Sequence, residues 1–519
     1  MSAGGPLGGG SGVAPEPAGG SGARRASGSV AVAAVDLGAT SGRVVLGRVG
    51  PDELRIEQLA RFPNRPLRLP SGLHTDLGAL WRGTAEGLAA ALRIEPDLAG
   101  IGVDSWAVDY GLLRGDRVLG LPFHYRDERT ARGVEAVHAV APFAELYGRN
   151  GLQFLPFNTL YQFAAELGDG VLDAAETALL IPDLFSWMLS GELRAERTNA
   201  STTGLLDVRT QQWDRDLADR IGIPTRLLPE LIDAGRRIGS LRPELLAEWG
   251  AVDAQRPDGG GAASGAAALR SDRRPVDVIA VGSHDTASAV LATPMEGPAA
   301  YISCGTWALV GVELEHPVVT EAAREANFTN EAGVDGTTRL LRNVMGLWLL
   351  SETVRGWEAE DGASISLPEL LAAAAEASER APIFDADDPR FLPPGDMPTR
   401  IAAWYEEHGL RGPRTRAGIA RAIVESLAAA FAQAAHRAAE LGGTRIEAIH
   451  LVGGGSLNEL LCRLTADRAG LPVIAGPVEA TAIGNVLVQA RALGAVDADR
   501  WALRHLVARH ETVRRYDPR

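Results

Sequence analysis

Three glycine-punctuated turns and one aspartate in this 519-residue chain combine the residue types that phosphate chemistry needs. In Asp36-Leu37-Gly38-Ala39-Thr40-Ser41-Gly42-Arg43, two glycines let backbone N–H groups converge on an anion. The Thr40 and Ser41 hydroxyls add donors, Arg43 can pair with phosphate, and Asp36 can hold a hydrated Mg²⁺. An ordinary hairpin turn, with Asp and Gly serving backbone geometry alone, accounts for the same string equally well. Ser303-Cys304-Gly305-Thr306-Trp307 would meet a γ-phosphate from the opposite side through Thr306 and the Gly305 amide. The run Leu451 to Asn458 holds Gly453, Gly454 and Gly455, whose small size lets a flat ring or a phosphate approach the backbone. It lacks GxGxxG spacing, which argues against NAD.

Asp285, in Gly282-Ser283-His284-Asp285-Thr286, follows a predicted strand and opens a helix. An aspartate there can be a plain helix cap. It can equally accept the proton of a hydroxyl attacking phosphorus, because the carboxyl ends of strands are where α/β sheets bind ligands; His284 then reads as a hydrogen-bonding neighbour. The stretch Asp104-Ser105-Trp106-Ala107-Val108-Asp109-Tyr110, with His124, Arg126, Asp127 and Arg129 beyond it, suits a pocket for sugar hydroxyls or, alternatively, an edge strand and a solvated charge run. Asp104 and Asp109 as a glycosidase pair would leave two phosphate turns without a purpose.

The elements that must position these residues are legible from pattern. VAVAAV from Val30, the turn and RVVLGRV make a hairpin, and AAYISCGTWALVGV repeats that design. Strands are expected at Leu98 to Val103, Ala178 to Ile181, Val276 to Val281, Ala299 to Ser303, Ala308 to Val312 and Ile446 to Val452. Helices are expected at Leu77 to Leu92 and at Ile419 to Leu441, the second closed by Gly442 and Gly443. Interleaved strands and helices predict an α/β fold, and the repeated hairpin predicts two similar halves facing a cleft. The glycine-rich residues 1–29 read as a disordered tail and 251–275 as a surface insertion. The halves are then 30–281 and 282–519.

Composition removes several function classes. All 51 basic residues are arginine, so the lysine-dependent phosphate loop, protein-kinase chemistry and Schiff-base catalysis are excluded. A net charge of −15 with no basic stretch argues against nucleic acid and anionic membranes. Two cysteines, no signal-like segment and no apolar run of membrane-spanning length fit a soluble protein of a reducing cytoplasm.

Taken in order, VDLGATSGR, GVDSWAVDYGLL, YRDERT, RNGLQFLPFNTLYQF, PDLFSWMLSGE, TNASTTGLLD, GSHDTASAV, SCGTWALVG, RNVMGLWLL, HLVGGGSLN and AGPVEATAIGN resemble the FGGY family of carbohydrate kinases from about Val30 to Gly494. The resemblance implies two ribonuclease-H-like domains of the actin-like ATPase type around a central cleft, with sugar binding assigned to 30–281 and nucleotide binding to 282–519, and it implies ATP and Mg²⁺. It also implies phosphoryl transfer to O1 of L-rhamnulose, with another ketose such as L-fuculose, or a non-catalytic actin-like ATPase or binding protein, as alternatives. By motif match Asp285 is the proton acceptor. Ala39, Thr40, Ser41, Gly42, Arg43, Thr306 and Gly453 to Gly455 contact ATP, while Ala107, His284, Asp285, Thr286 and Asn343 meet the sugar. Asp36 is the Mg²⁺-associated carboxylate. Ser351 stands where the family carries an ATP-associated glutamine, so that contact is not transferred, and the family's disulfide pair has no counterpart.

Overall fold

The computed structural model describes residues 28–250, 275–497 and 499–519. Residues 1–27 of the expected tail and 251–274 of the expected insertion lie outside the described residues.

Two large sheets dominate. The first runs Arg237–Ser240, Asp277–Ile279, Gly100–Ser105, Val30–Leu37, Ser41–Gly50, Glu53–Pro63 in spatial order. The second runs Thr329–Ala332, Thr338–Met345, Trp307–Leu314, Ala299–Cys304, Ala448–Val452, Val473–Ala475, Arg514–Tyr516. In each, the first strand of the repeated hairpin has antiparallel neighbours on one side, and on the other side two successive parallel strands end in an antiparallel edge. The duplication suspected from one motif therefore extends over six strands, with Thr329–Ala332 as an addition to the second sheet.

The expected strands form, with two differences. Thr177–Leu180 joins Tyr110–Arg114 in a separate three-stranded sheet, and Ile181 opens a helix instead, because Pro182 suits the first helical turn. Only Asp277–Ile279 of the segment 276–281 is ladder-paired. The helices extend to caps: Asp76 Oδ1 accepts from the Ala79 amide at 3.0 Å ahead of Leu77–Ile94, and Thr415 Oγ1 accepts from the Gly418 amide at 3.0 Å ahead of Arg416–Leu441.

The halves are joined by a late helix that packs on the first sheet. Ala480–Ala492 lies against Val32, Ala34 and Val45 through Ile483, Val486 and Leu487. Its Gly484 abuts helix Asp285–Leu291 so closely that a Cβ would lie 1.9 Å from Ser288 O. Asn485 Nδ2 donates to Gly102 O at 3.2 Å and to the Asp104 carboxylate, and Gln489 Nε2 donates to Ala33 O at 3.0 Å. Gly484→Ala is expected to destabilise the protein by about 1–3 kcal/mol through overpacking, despite a helix-propensity gain of up to about 1 kcal/mol. Thermal denaturation reads the net sign.

Candidate active site

Both hairpin turns, the Gly453 turn and the start of helix Asp285–Leu291 open onto one cavity of about 320 Å³. Of the residues singled out from the sequence, Asp36, Ala39, Thr40, Ser41, Arg43, Ala107, His284, Asp285, Thr286, Thr306, Asn343, Gly453 and Gly454 line it. Gly42 and Gly455 do not. A Cβ on Gly42 would sit 2.3 Å from the Phe62 ring, and one on Gly455 would sit 2.4 Å from Cys304 Sγ. Both glycines are needed for packing behind the turns. Gly453 takes φ 81° and passes so near the end of the second hairpin that a Cβ would lie 2.9 Å from Cys304 O.

Ladder register sets the charges. Asp36 is paired across the hairpin with Arg43 and across the parallel ladder with Asp104. Arg43 Nε lies 3.2 Å from Asp36 Oδ2, and its Nη1 is bonded to Glu479, which arrives from just before helix Ala480–Ala492. Arg43 is thus held between two carboxylates of opposite halves, where the sequence had offered it to phosphate alone. Burial, followed by repulsion from Asp285 and Glu479, lifts Asp36 to about 6 against the attraction of Arg43. Burial also lifts Asp104 well above its ordinary value, and its Oδ1 has no partner among the described residues.

This acidic cluster fits a divalent cation. Four carboxylates, Asp36, Asp104, Asp285 and Glu479, face the guanidiniums of Arg43 and Arg61 there, so a cation would relieve the repulsion that raises Asp36. Among the described residues no group of three or more metal-ligating side chains forms a cage. Mg²⁺ keeps most of its waters and takes one or two carboxylates plus phosphate oxygens, so it needs no such cage.

Asp285 is 31% exposed, and its Oδ1 accepts from Thr286 Oγ1 at 3.0 Å. The segment ahead of it is anchored by buried Glu196, whose Oε2 accepts from Ser283 N at 3.1 Å and Ser283 Oγ at 2.8 Å. His284 has its Nε2 3.6 Å from Asp285 Oδ1. Asn343 is clamped from the other half: Gln153 Oε1 accepts from its backbone N–H at 2.9 Å and from its Nδ2 at 3.2 Å.

An aromatic wall completes the cavity. Tyr125 and Phe157 have ring centroids 5.3 Å apart, Phe157 and Trp307 6.2 Å apart, and Trp307 Nε1 points to Tyr125 OH at 3.4 Å. Buried Asp109 accepts from Trp106 Nε1 at 2.9 Å and from Tyr125 N at 3.2 Å, orienting two wall residues. Burial pushes its carboxyl up to about 7 in spite of these bonds. Val108, a β-branched residue at φ 70°, is held in that strained state by Thr159 Oγ1 and Gln162 Nε2, which donate to its carbonyl at 2.8 and 3.2 Å. Asn158 Oδ1 is buried at the cavity without a hydrogen-bond partner among the described residues, whereas Glu331 Oε2, also at the cavity, is ion-paired with Arg339 at 3.2 Å. An acceptor such as Asn158 Oδ1 calls for a hydroxyl donor from a ligand.

The segment from His124 to Arg129 is neither a solvated run nor a direct part of the pocket, Tyr125 apart. Asp127 Oδ2 accepts from Leu73 N at 2.7 Å, Arg129 pairs with buried Glu166 at 3.1 Å, and Arg126 stacks over Trp348 of the other half at 3.8 Å. Gln153, Phe157, Glu479 and Trp307 had no individual role in the sequence reading, although each lies inside a string that carried the resemblance. Arg61 and Glu331 lie outside those strings. Cys304 and Cys462 are buried free thiols, and burial pushes Cys462 up to about 12, far from a reactive thiolate. Among the described residues no helix is long and apolar enough to cross a membrane.

Comparison with known proteins agrees with this architecture. The N-terminal domain of the FGGY family of carbohydrate kinases matches residues 31–268, and its C-terminal domain matches 300–493. A protein named rhamnulokinase from Pectobacterium carotovorum is 40% identical over 496 residues, covering 94% of this chain and 93% of that protein. Another of that name from Bacteroides thetaiotaomicron is 37% identical over 489 residues, covering 93% and 95%. In fold, the chain is similar to a ligand-bound xylulose kinase from Lactobacillus acidophilus, with TM-score 0.72, 16% identity and 94% of each chain covered. It is also similar to Plasmodium falciparum glycerol kinase with ADP, with TM-score 0.72, 14% identity and coverage of 95% and 94%. The duplicated sheets, the shared cavity and these matches over nearly the whole chain have one conclusion: the chain belongs to the FGGY family of carbohydrate kinases.

Proposed function

We propose that the chain transfers the γ-phosphoryl group of ATP to O1 of L-rhamnulose, giving L-rhamnulose 1-phosphate and ADP. The observation that carries this reading is the meeting of two phosphate-type hairpin turns with a partly exposed aspartate, Asp285, on one cavity whose wall also holds the unpaired Asn158 Oδ1 and aromatic rings. The ketose identity is supported by the relatives at 37–40% identity, all named rhamnulokinase.

In this mechanism the donors around Ala39 to Ser41 and Thr306 hold the triphosphate from two sides, and Gly453 and Gly454 leave room for the nucleotide. The sugar stacks against the wall of Tyr125, Phe157 and Trp307, its hydroxyls reaching His284, Thr286, Asn343 and Asn158 Oδ1. As O1 bonds to the γ-phosphorus, the bond from that phosphorus to the β,γ-bridging oxygen breaks, ADP leaves, and Asp285 takes the O1 proton. Mg²⁺ associated with Asp36 supplies neutralisation of phosphate charge. A cleft between two halves also keeps out water that would otherwise consume ATP. Residues 30–281 and 282–519 are proposed as the two domains, with helix Ala480–Ala492 of the second fastened to the sheet of the first.

A coupled ADP-release assay with a panel of ketoses tests the substrate. Turnover is expected with L-rhamnulose, whereas turnover only with L-fuculose or another ketose moves the assignment within the family. Asp285→Asn is expected to lower kcat by roughly 100-fold or more and to leave nucleotide binding intact. Near-normal turnover would place the base elsewhere.

Asp36→Asn separates stability from activity. Because the folded protein holds the Asp36 proton up to about 6, above the ordinary 3.8, its charge opposes folding increasingly as pH rises through that window. The variant should therefore melt at a higher temperature than the parent at pH 8, the two should converge near pH 4, and Mg²⁺-dependent turnover should be lost. A lower melting temperature at pH 8 would contradict the electrostatic account.

A further inference from the structure

Behind Asp285 lies a buried charge pair that the reaction scheme leaves unused. Arg339, on Thr338–Met345, is 0% exposed, and Glu331 sits beside it on the neighbouring strand. Arg339 Nε donates to Ala332 O at 3.1 Å, and its Nη2 lies 3.2 Å from Glu331 Oε2 and 3.0 Å from His284 Nδ1. Glu331 Oε2 is itself 3.2 Å from His284 Nδ1. One imidazole nitrogen thus faces both a group that can only donate and a group that, when ionised, can only accept.

The geometry points to Arg339 as a positioning residue that fixes His284 in the tautomer with its proton on Nε2, aimed at Asp285. Two observations separate this from the opposite tautomer. The Arg339–His284 contact has hydrogen-bond geometry, whereas Glu331 Oε2 finds no hydrogen-bond partner in spite of its proximity. A guanidinium has no lone pair to offer, so Nδ1 must accept from it and the ring proton must sit on Nε2. That nitrogen is 3.6 Å from Asp285 Oδ1.

Glu331 makes the arrangement tolerable in a dry interior. Burial acts to raise its carboxyl and the Arg339 cation acts to lower it, with the net position below the ordinary range, so the pair is ionised and jointly neutral. His284 then presents its Nε2 proton, from 3.6 Å and by electrostatic attraction rather than a hydrogen bond, to the Asp285 oxygen that Thr286 Oγ1 already holds, and the other oxygen is left for the hydroxyl proton. With the opposite tautomer, a lone pair would face the carboxylate and push it out of line. This inference rests on Asp285 being the base, as proposed above.

Ring-nitrogen NMR shifts of [¹⁵N]histidine-labelled full-length protein at pH 8, with neither nucleotide nor sugar, read the tautomer directly; His284→Gln identifies the signals. The expected result is an unprotonated Nδ1 and a protonated Nε2. A protonated Nδ1 with a bare Nε2 would mean that Glu331 commands the ring, and it overturns the assignment. In the charge-matched double variant Arg339→Met with Glu331→Gln, the tautomer should be released and kcat should fall by about tenfold or more through misplacement of the base, with KM for ATP within about twofold. Arg339→Lys keeps a cationic donor and should retain both the wild-type tautomer and most of kcat, which guards against a merely unfolded double variant. A double variant with wild-type kcat sinks the positioning role. If Asp285→Asn keeps full sugar-dependent activity, it is the proposed base that fails, since the NMR result does not depend on turnover.

Discussion

The packing of one helix from late in the chain onto the first sheet sets the spacing of everything else. Ala480–Ala492 is held there by close approach, with Gly484 against Ser288 and Val486 where Gly47 leaves space, and by buried amides, with Asn485 and Gln489 bonded to strand carbonyls and to Asp104. Interiors packed at this density do not yield by fractions of an ångström. Glu479, one residue before the helix, and Asp285, at the start of the helix it packs on, therefore reach Asp36 and Arg43 from the other half at a distance fixed by small side chains.

That spacing produces a site with an electrostatic imbalance. In the proposed triphosphate region, Asp36, Glu479 and Asp104 act on Arg43, and burial keeps water from screening Asp36 and Asp104. On the sugar side, the balance is closed: Arg339 and Glu331 neutralise each other behind His284. The open half calls for a cation and an anionic ligand together, while the closed half holds its geometry before any ligand arrives. In the proposed reading, a lysine-free chain manages phosphate by this division between backbone turns, hydroxyls and an acid cluster suited to a metal.

Much of this was legible in the residues. The two hairpins, their turns and the Gly453 turn were visible as strings of small and polar residues between apolar runs, and the structure brings 13 of the 15 positions to which the family resemblance gave a role onto the cavity. Gly42 and Gly455 misled because a glycine needed for a neighbouring ring or sulfur looks the same in sequence as one needed for a ligand. The segment from His124 to Arg129 misled similarly: a charge run on paper became a set of buried pairs once Leu73, Glu166 and Trp348 were brought beside it. Ile181 was read as the end of a strand, yet Pro182 turned it into a helix start.

By itself the sequence determined local matters: which segments alternate as strands, where Gly442 and Gly443 close a helix, which turns tolerate an anion, and that no lysine takes part. These follow from residue type and short-range periodicity, which need no partner from elsewhere in the chain. Only the tertiary structure decided that Arg43 is shared with Glu479, 436 positions away, that Gln153 clamps Asn343, and that Arg339 rather than Glu331 addresses His284 Nδ1. Those outcomes depend on distance and direction between groups far apart in sequence, and a few tenths of an ångström separate a hydrogen bond from a mere neighbour.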